Sequence, residues 1–299
     1  MTATPAAATA WRDLDAATRE SEYSPSSCIG GNYEPFIQAY AERSREARFR
    51  TPGRLDLAYG KRTSQRLDLF VPPAAPGSAG LPPLLVFIHG GYWQELSKHE
   101  SAFAATHCVE QGIAYAALDY TLAPHASVAQ MVGECRDAVA WLHANAATLG
   151  FDAQRIVVAG SSAGAHLAAM TALPGSMGAI ASSVPPVNAA VLVSGIYELE
   201  PLLGTSINDA LGLTLDSARE ASPAQRALQG FPSTIVCWGE LETREFKRQS
   251  RDFAARLERV GTACQTFEVA QRNHFDVILD LADPATQLGR AVATLIRSV

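Results

Sequence analysis

Several things are missing from this 299-residue chain, and each absence narrows what it can be. No apolar run approaches the ~20 residues needed to cross a bilayer as a helix, so a helical membrane anchor is not expected. Basic residues are not clustered: 24 Lys and Arg are mixed with 30 Asp and Glu for a net charge of −6. A chain of that kind lacks the positive footprint of a nucleic-acid binder. Charge is modest overall at 18%, against 47% hydrophobic residues, which excludes a disordered chain and supplies a large core. Cysteine is scarce. Cys28, Cys108, Cys135, Cys237 and Cys264 are odd in number and widely spaced, so neither a disulfide framework nor a zinc site is expected, and free thiols in a reducing cytoplasm are. His, Asp and Glu show no metal-ligand spacing such as H-E-x-x-H, and no metal or other cofactor is expected. The first residues lack the charged start and apolar stretch of a secretory signal, so residues 1–20 are expected to be a disordered leader.

What is present is a rhythm of strands and helices. Short apolar runs at Leu84–Ile88, Ile113–Leu118, Arg155–Ala159, Ala190–Val193 and Thr234–Trp238 suit strands buried on both faces. Cys264–Val269 reads as a further strand. Leu55–Tyr59 and Arg66–Val71 precede them as half-exposed strands. Helices are predicted over Glu34–Arg48, Ser97–Gln111, Ala163–Met170 and Arg244–Val260. Another is marked by the apolar stripe of Val128, Met131, Val132, Cys135, Val139 and Leu142, and a last one is opened by Asp283-Pro284. Alternation of this kind predicts an α/β fold in which a mostly parallel central sheet carries helices on both faces. Residues 21–299 are expected to form one domain, with small cap elements near 21–50 and 197–231, where the rhythm breaks.

Gly160-Ser161-Ser162-Ala163-Gly164 sits between a predicted buried strand and an Ala-rich helix. That is the setting of the G-x-S-x-G nucleophile elbow, in which a sharp turn lifts the serine hydroxyl clear of the sheet. Glycine is needed at 160 and 164 because the residues two before and two after the nucleophile nearly touch. Ser162 is therefore the candidate nucleophile. His89-Gly90-Gly91-Tyr92-Trp93 closes the strand Leu84–Ile88, and adjacent glycines there allow backbone N–H groups to approach a developing oxyanion. The candidate donors are the amides of Gly91, Tyr92 and Ala163, with His89 holding the loop as a structural residue. In this fold the base follows the nucleophile and the acid, which leaves His166 and His274. His166 lies one turn along the elbow helix, pointing away, so His274 is the candidate base. Glu242 and Glu240 are candidates for the acid. The position three after Gly239 favours Glu242, with Asp276 a weaker rival.

These residues resemble the kynurenine formamidase (arylformamidase) branch of the α/β-hydrolases. The specific cue is His89-Gly90-Gly91-Tyr92-Trp93, since most relatives of the hormone-sensitive-lipase-like group carry a third glycine where Tyr92 stands. Supporting cues are Tyr23-Ser24-Pro25-Ser26, Glu245-Phe246 with Gln249-Ser250, and Asn273-His274-Phe275-Asp276, so the resemblance runs from about Tyr23 to the C-terminus. One departure is Glu242, where family members commonly carry Asp. The resemblance implies a serine hydrolase that takes a small aromatic amide or ester: an aryl formamide such as N-formyl-L-kynurenine, or, as the alternative, aryl or short-chain esters. A hydrolase-like binding protein without catalysis is a third, remote reading. Neither nucleic acid nor membrane is implied as a partner, and a homodimer is compatible with the resemblance. Tyr92 and Trp93, with the segment Tyr197–Leu203, are candidates to line an aromatic pocket, the alternative being ordinary packing.

Overall fold

The computed structural model describes residues 11–73, 80–174 and 187–299. Eight strands form one sheet: β1 (Arg54–Ala58), β2 (Arg66–Phe70), β3 (Leu84–Ile88), β4 (Ala114–Leu118), β5 (Ile156–Ser161), β6 (Ala189–Val193), β7 (Ser233–Leu241) and β8 (Cys264–Asn273). Their spatial order is β1-β2-β4-β3-β5-β6-β7-β8. The pairs β1–β2 and β2–β4 are antiparallel and the rest are parallel, as the apolar runs predicted. The helices are α1 (Ala16–Glu22), α2 (Glu34–Arg50), α3 (Ala105–Glu110), α4 (Val128–Leu149), α5 (Ala163–Ala172), α6 (Asn208–Leu211), α7 (Leu215–Glu220), α8 (Arg244–Arg259) and α9 (Gln287–Ser298).

Period-two alternation sends the central strands into two separate cores. Leu84, Val86 and Ile88 of β3 join Met131 and Leu142 of α4, Leu167 of α5, and Phe253 and Leu257 of α8. The intervening Leu85 and Phe87 join Cys108 of α3 with Leu288 and Ile296 of α9. Helices thus cover both faces. Among the described residues none is in a helix long and apolar enough to cross a membrane, and all five cysteines are free.

Local chemistry corrects three expectations. The predicted helix over Ser97–Gln111 is a single 3₁₀ turn, Lys98–Glu100, followed by α3. The backbone N–H of Lys98 goes to Asp119 Oδ1 (2.5 Å) and its buried ammonium to Asp56 and Asp68 (2.8 and 3.0 Å), which fixes this stretch by side-chain contacts rather than helical ones. Asp283-Pro284 does not open α9. Asp283 closes a turn on Ala285 N (2.8 Å), and Thr286 is the cap, its hydroxyl accepting from Gly289 N at 3.0 Å. The disordered leader is corrected for residues 11–20, while residues 1–10 lie outside the described set. Trp11 is buried and α1 begins with Asp15 capping Thr18 N at 2.8 Å.

The N-terminal segment also completes α8. Thr243 sits at its cap position, but its hydroxyl donates to the Glu22 carbonyl (2.6 Å), and the Glu22 carboxylate accepts the Glu245 amide (3.1 Å) in its place. A residue more than 200 positions away thereby supplies the acceptor that the first turn of a helix needs.

Candidate active site

The β5–α5 junction is as sharp as the glycines predict. Ser162 has φ 57° and ψ −122°, a conformation that L-residues rarely adopt. A Cβ on Gly160 would stand 2.2 Å from the Gly164 carbonyl oxygen, and one on Gly164 would stand 2.0 Å from that of Ile88. The elbow therefore packs against both itself and the end of β3. Ser162 N donates to Val193 O (2.9 Å), which pins the turn to β6.

Beside it, Gly91 (φ 86°), Tyr92 (φ 49°) and Trp93 (φ 61°) run in succession through the left-handed region. For the two aromatics this costs about 1–2 kcal/mol per residue. The loop folds back on itself, with Gln94 N and Glu95 N both donating to Gly91 O (2.9 Å each). Among the described residues no protein acceptor takes the amides of Gly91, Tyr92 or Ala163. His89 supports the loop from beneath. It is 2% exposed, its Nδ1 lies 3.0 Å from Gly90 O and its ring stacks on Tyr120 with centroids 4.3 Å apart. Burial pushes its pKa down to about 4, which keeps it neutral.

The candidate acid and the candidate base meet where β7 and β8 extend past the rest of the sheet. Both strands run longer than the apolar pattern indicated, and a register shift between Gly239 and Leu241 brings Leu241 opposite Asn273. Gly239 is required there, since a Cβ would lie 2.4 Å from Arg272 O. Glu242 then places Oε2 2.9 Å from His274 Nδ1, while its Oε1 accepts from Ser194 Oγ (2.6 Å) and Gly239 N (2.5 Å). The Glu242 side chain has no exposed surface. Phe246 packs edge-on against the His274 ring at 4.5 Å. Glu240 is exposed and accepts from Gln271 N (2.8 Å), and Asp276 caps Asn273 N (2.7 Å), so neither rival touches His274. Ser162 and His274 both line a cavity of about 380 Å³, whose wall also includes Gly90, Gly91 and Tyr92.

His166 is fully buried, with Nε2 2.7 Å from Ala221 O, and burial lowers its pKa to about 4. Trp93 is a correction to the expected pocket lining. Its indole is wholly buried and donates to His166 Nδ1 (3.3 Å), outside the cavity wall. Tyr197 likewise packs in the core, stacked on Phe253 at 4.2 Å, as do Leu199 and Leu202. The next turn, Ser206 and Ile207, reaches the cavity instead.

Sequence reasoning missed Ser194, the partner of Glu242. Its position at the C-terminal end of a parallel strand was the available signal, because such ends gather ligand-contacting groups. It also missed what the Tyr23-Ser24-Pro25-Ser26 segment does: Ser24, Pro25 and Ser26 line the cavity together with Glu20 and Tyr33. Glu20, Glu95 and Glu100 are on the wall, and among the described residues no Lys or Arg is. No group of three or more described His, Cys, Asp or Glu residues is arranged to hold a metal ion.

The BD-FAE family model matches residues 67–257. Kynurenine formamidase from Danio rerio is 30% identical, covering 96% of this chain and 98% of that protein. The chain belongs to the kynurenine formamidase family. Kynurenine formamidase from Salmo salar is 32% identical, covering 91% of this chain and 94% of that one. A crystal structure of a protein from Silicibacter sp. TM1040 is 27% identical with a TM-score of 0.78, covering 93% of this chain and 98% of that one. The Pyrobaculum calidifontis esterase, at 22% identity, has a TM-score of 0.70 and covers 96% of this chain and 94% of its own. The fold is that of the α/β-hydrolases, and the protein is a hydrolase of that superfamily.

Proposed function

We propose that the protein hydrolyses an aryl formamide of the N-formyl-L-kynurenine type through an acyl-enzyme on Ser162. His274 Nε2 takes the hydroxyl proton as Ser162 Oγ attacks the formyl carbon. The carbonyl oxygen becomes an oxyanion held by the amides of Gly91, Tyr92 and Ala163, each such donor being worth about 3 kcal/mol in the transition state. The C–N bond then breaks, His274 delivers the proton to the leaving nitrogen, and water activated by the same imidazole releases formate from Ser162. Glu242 fixes the His274 tautomer with the proton on Nδ1 and stabilises the imidazolium that forms. Parts of the segments 21–50 and 197–231 act as the cap that shields this chemistry.

The observation that carries the reading is the 2.9 Å contact of Glu242 with His274 Nδ1 on the wall that also holds Ser162. The family's named members supply the substrate class. A second reading, a carboxylesterase on aryl or short-chain esters, is favoured by one feature: the carboxylate of formylkynurenine finds no Lys or Arg on the described wall. The deciding measurement is kcat/KM for N-formyl-L-kynurenine beside p-nitrophenyl acetate, with Ser162→Ala as control. Turnover of the formamide that disappears in the variant supports the first reading. Ester turnover alone moves the assignment to the second. Inertness to both, with no fluorophosphonate label on Ser162, sinks them together and leaves a binding role.

A further inference from the structure

Tyr92 and Trp93 occupy consecutive left-handed positions (φ 49° and 61°) with bulky side chains. Such residues avoid this region because Cβ crowds the following carbonyl, and they persist there only when their surroundings impose it. Glycine would adopt it freely. Something other than intrinsic preference therefore holds the loop.

Each aromatic carries one polar hydrogen at its far end, and each of these has one acceptor. The Tyr92 hydroxyl donates to the Tyr23 carbonyl, and Trp93 Nε1 donates to His166 Nδ1 at 3.3 Å. The acceptors belong to different elements, Tyr23 at the end of α1 and His166 in α5, one turn past Ser162. Both are fixed in turn. The Tyr23 hydroxyl donates to Glu245 Oε2 (2.7 Å) and accepts from Gln249 Nε2 (3.0 Å), and Glu245 is paired with Arg248 at 2.7 Å. His166 Nε2 is held by Ala221 O. Both tethers end on buried residues that have further partners of their own.

We infer that Tyr92 and Trp93 are positioning residues whose side-chain tethers, in place of glycine's freedom, hold the peptide N–H groups of the oxyanion loop. The Tyr23 carbonyl makes the N-terminal segment a working part of that loop. This rests on the oxyanion-hole reading given above. It has a consequence that simple packing does not share: at position 92 an untethered ring is worse than no ring. Phe keeps the cavity wall but loses the contact that offsets the left-handed backbone. Gly loses both the wall and the tether but adopts the backbone without penalty.

The test compares wild type, Tyr92→Phe and Tyr92→Gly for kcat and KM on p-nitrophenyl acetate and for the rate of fluorophosphonate labelling, with thermal unfolding to verify the fold. Tyr92→Asn, also tolerant of left-handed backbone, replaces the glycine variant should that one unfold. The expected result is a kcat for Phe lowered at least about tenfold, with KM within about twofold of wild type, and a higher kcat but raised KM for Gly. A Phe variant within about twofold of the wild-type kcat, or a Gly variant slower than Phe, overturns the inference. A wild-type protein inert to both ester and fluorophosphonate overturns the proposed function instead, so the two failures are separable.

Discussion

Ser194 donates its hydroxyl to Glu242 Oε1 at 2.6 Å, from the end of β6 to the loop after β7, and so orients the carboxylate whose other oxygen holds His274. Both side chains are buried, so the bond is made to a charge shielded from water, a class worth about 1.5–3 kcal/mol. Ser194→Ala should lower kcat by about ten- to a hundredfold with KM little changed. Steady-state kinetics on whichever substrate the wild type prefers will check it. An unaltered kcat would mean that Gly239 N alone suffices to orient Glu242.

Glu242 and Glu240 can be separated by isosteric amides. Glu242→Gln presents the wrong group to His274 Nδ1 and should cost on the order of 10³–10⁴ in kcat, by analogy with amide replacement of the acid in other triads. Glu240→Gln alters an exposed loop contact and should stay within about twofold. Equal losses from the two, measured side by side, would contradict the assignment of the acid.

The elbow, the Gly90-Gly91 pair and the candidate base His274 are legible in the sequence because each depends on local chemistry: a close approach that only glycine allows, or the chain order expected of a triad. The central strands are legible because burial on both faces writes a continuous apolar run. What is not legible depends on distant partners. Glu22 capping α8, Ser194 reaching Glu242, and Trp93 turning inward to His166 are contacts between residues 48 to 223 positions apart. Trp93 shows the difficulty well: its type and its place in the motif suit a pocket wall, and only the location of His166 in α5 sends it into the core. The extra length of β8 over the predicted Cys264–Val269 has the same origin, since its last residues are polar and Asn273 joins the sheet only because Leu241 of β7 lies opposite it.

Glycine substitutions should divide by what a methyl group meets. Gly164→Ala drives Cβ to 2.0 Å from the Ile88 carbonyl, a backbone atom that cannot yield without moving β3, and should destabilise by about 1–3 kcal/mol or more. Gly133→Ala, in α4 with nothing within 4 Å, should stabilise by roughly 0.5–1 kcal/mol. Urea unfolding midpoints of the two variants should move in opposite directions from wild type. A shared direction would show the elbow to be more pliable than its contacts indicate.

Stability should fall on acidification. His89 and His166 have pKa values lowered by burial from 6.5 to about 4, so both are neutral in folded and unfolded chains above pH 6.5, and their contribution is fully present there. Between pH 6.5 and 4 the unfolded chain takes up protons that the folded one refuses, which removes roughly 3 kcal/mol per histidine. Asp119 opposes this. Burial raises its pKa from 3.8 to about 6, so it binds its proton earlier when folded and offsets about one histidine. His107, lowered, and Asp276, raised, add one shift of each kind. The net loss should be roughly 3 kcal/mol, and Tm should drop by several degrees between pH 7.5 and 5. A Tm that holds or rises over this interval would show that the carboxyl groups outweigh the histidines.

Substrate charge should matter in one direction. The cavity wall carries Glu20, Glu95 and Glu100 and, among the described residues, no Lys or Arg. Glu20 accepts from Ser206 N at 2.9 Å and Glu100 from Ser97 Oγ at 2.8 Å, so two of these carboxylates are held in place by hydrogen bonds. Two unit charges about 7 Å apart interact by roughly 2 kcal/mol at the effective dielectric of a protein surface. Among formanilides that differ only in a para substituent, an aminomethyl cation should therefore exceed a neutral methyl, and the methyl a carboxylate, with about tenfold in kcat/KM between the extremes at low ionic strength. The spread should shrink in high salt, where charges are screened within a few ångströms, and also in Glu95→Gln. If the carboxylate is turned over as fast as the cation, the wall charges are too well solvated to select. The carboxylate of formylkynurenine would then be no obstacle to that substrate, and the ester reading would lose the one feature that favours it.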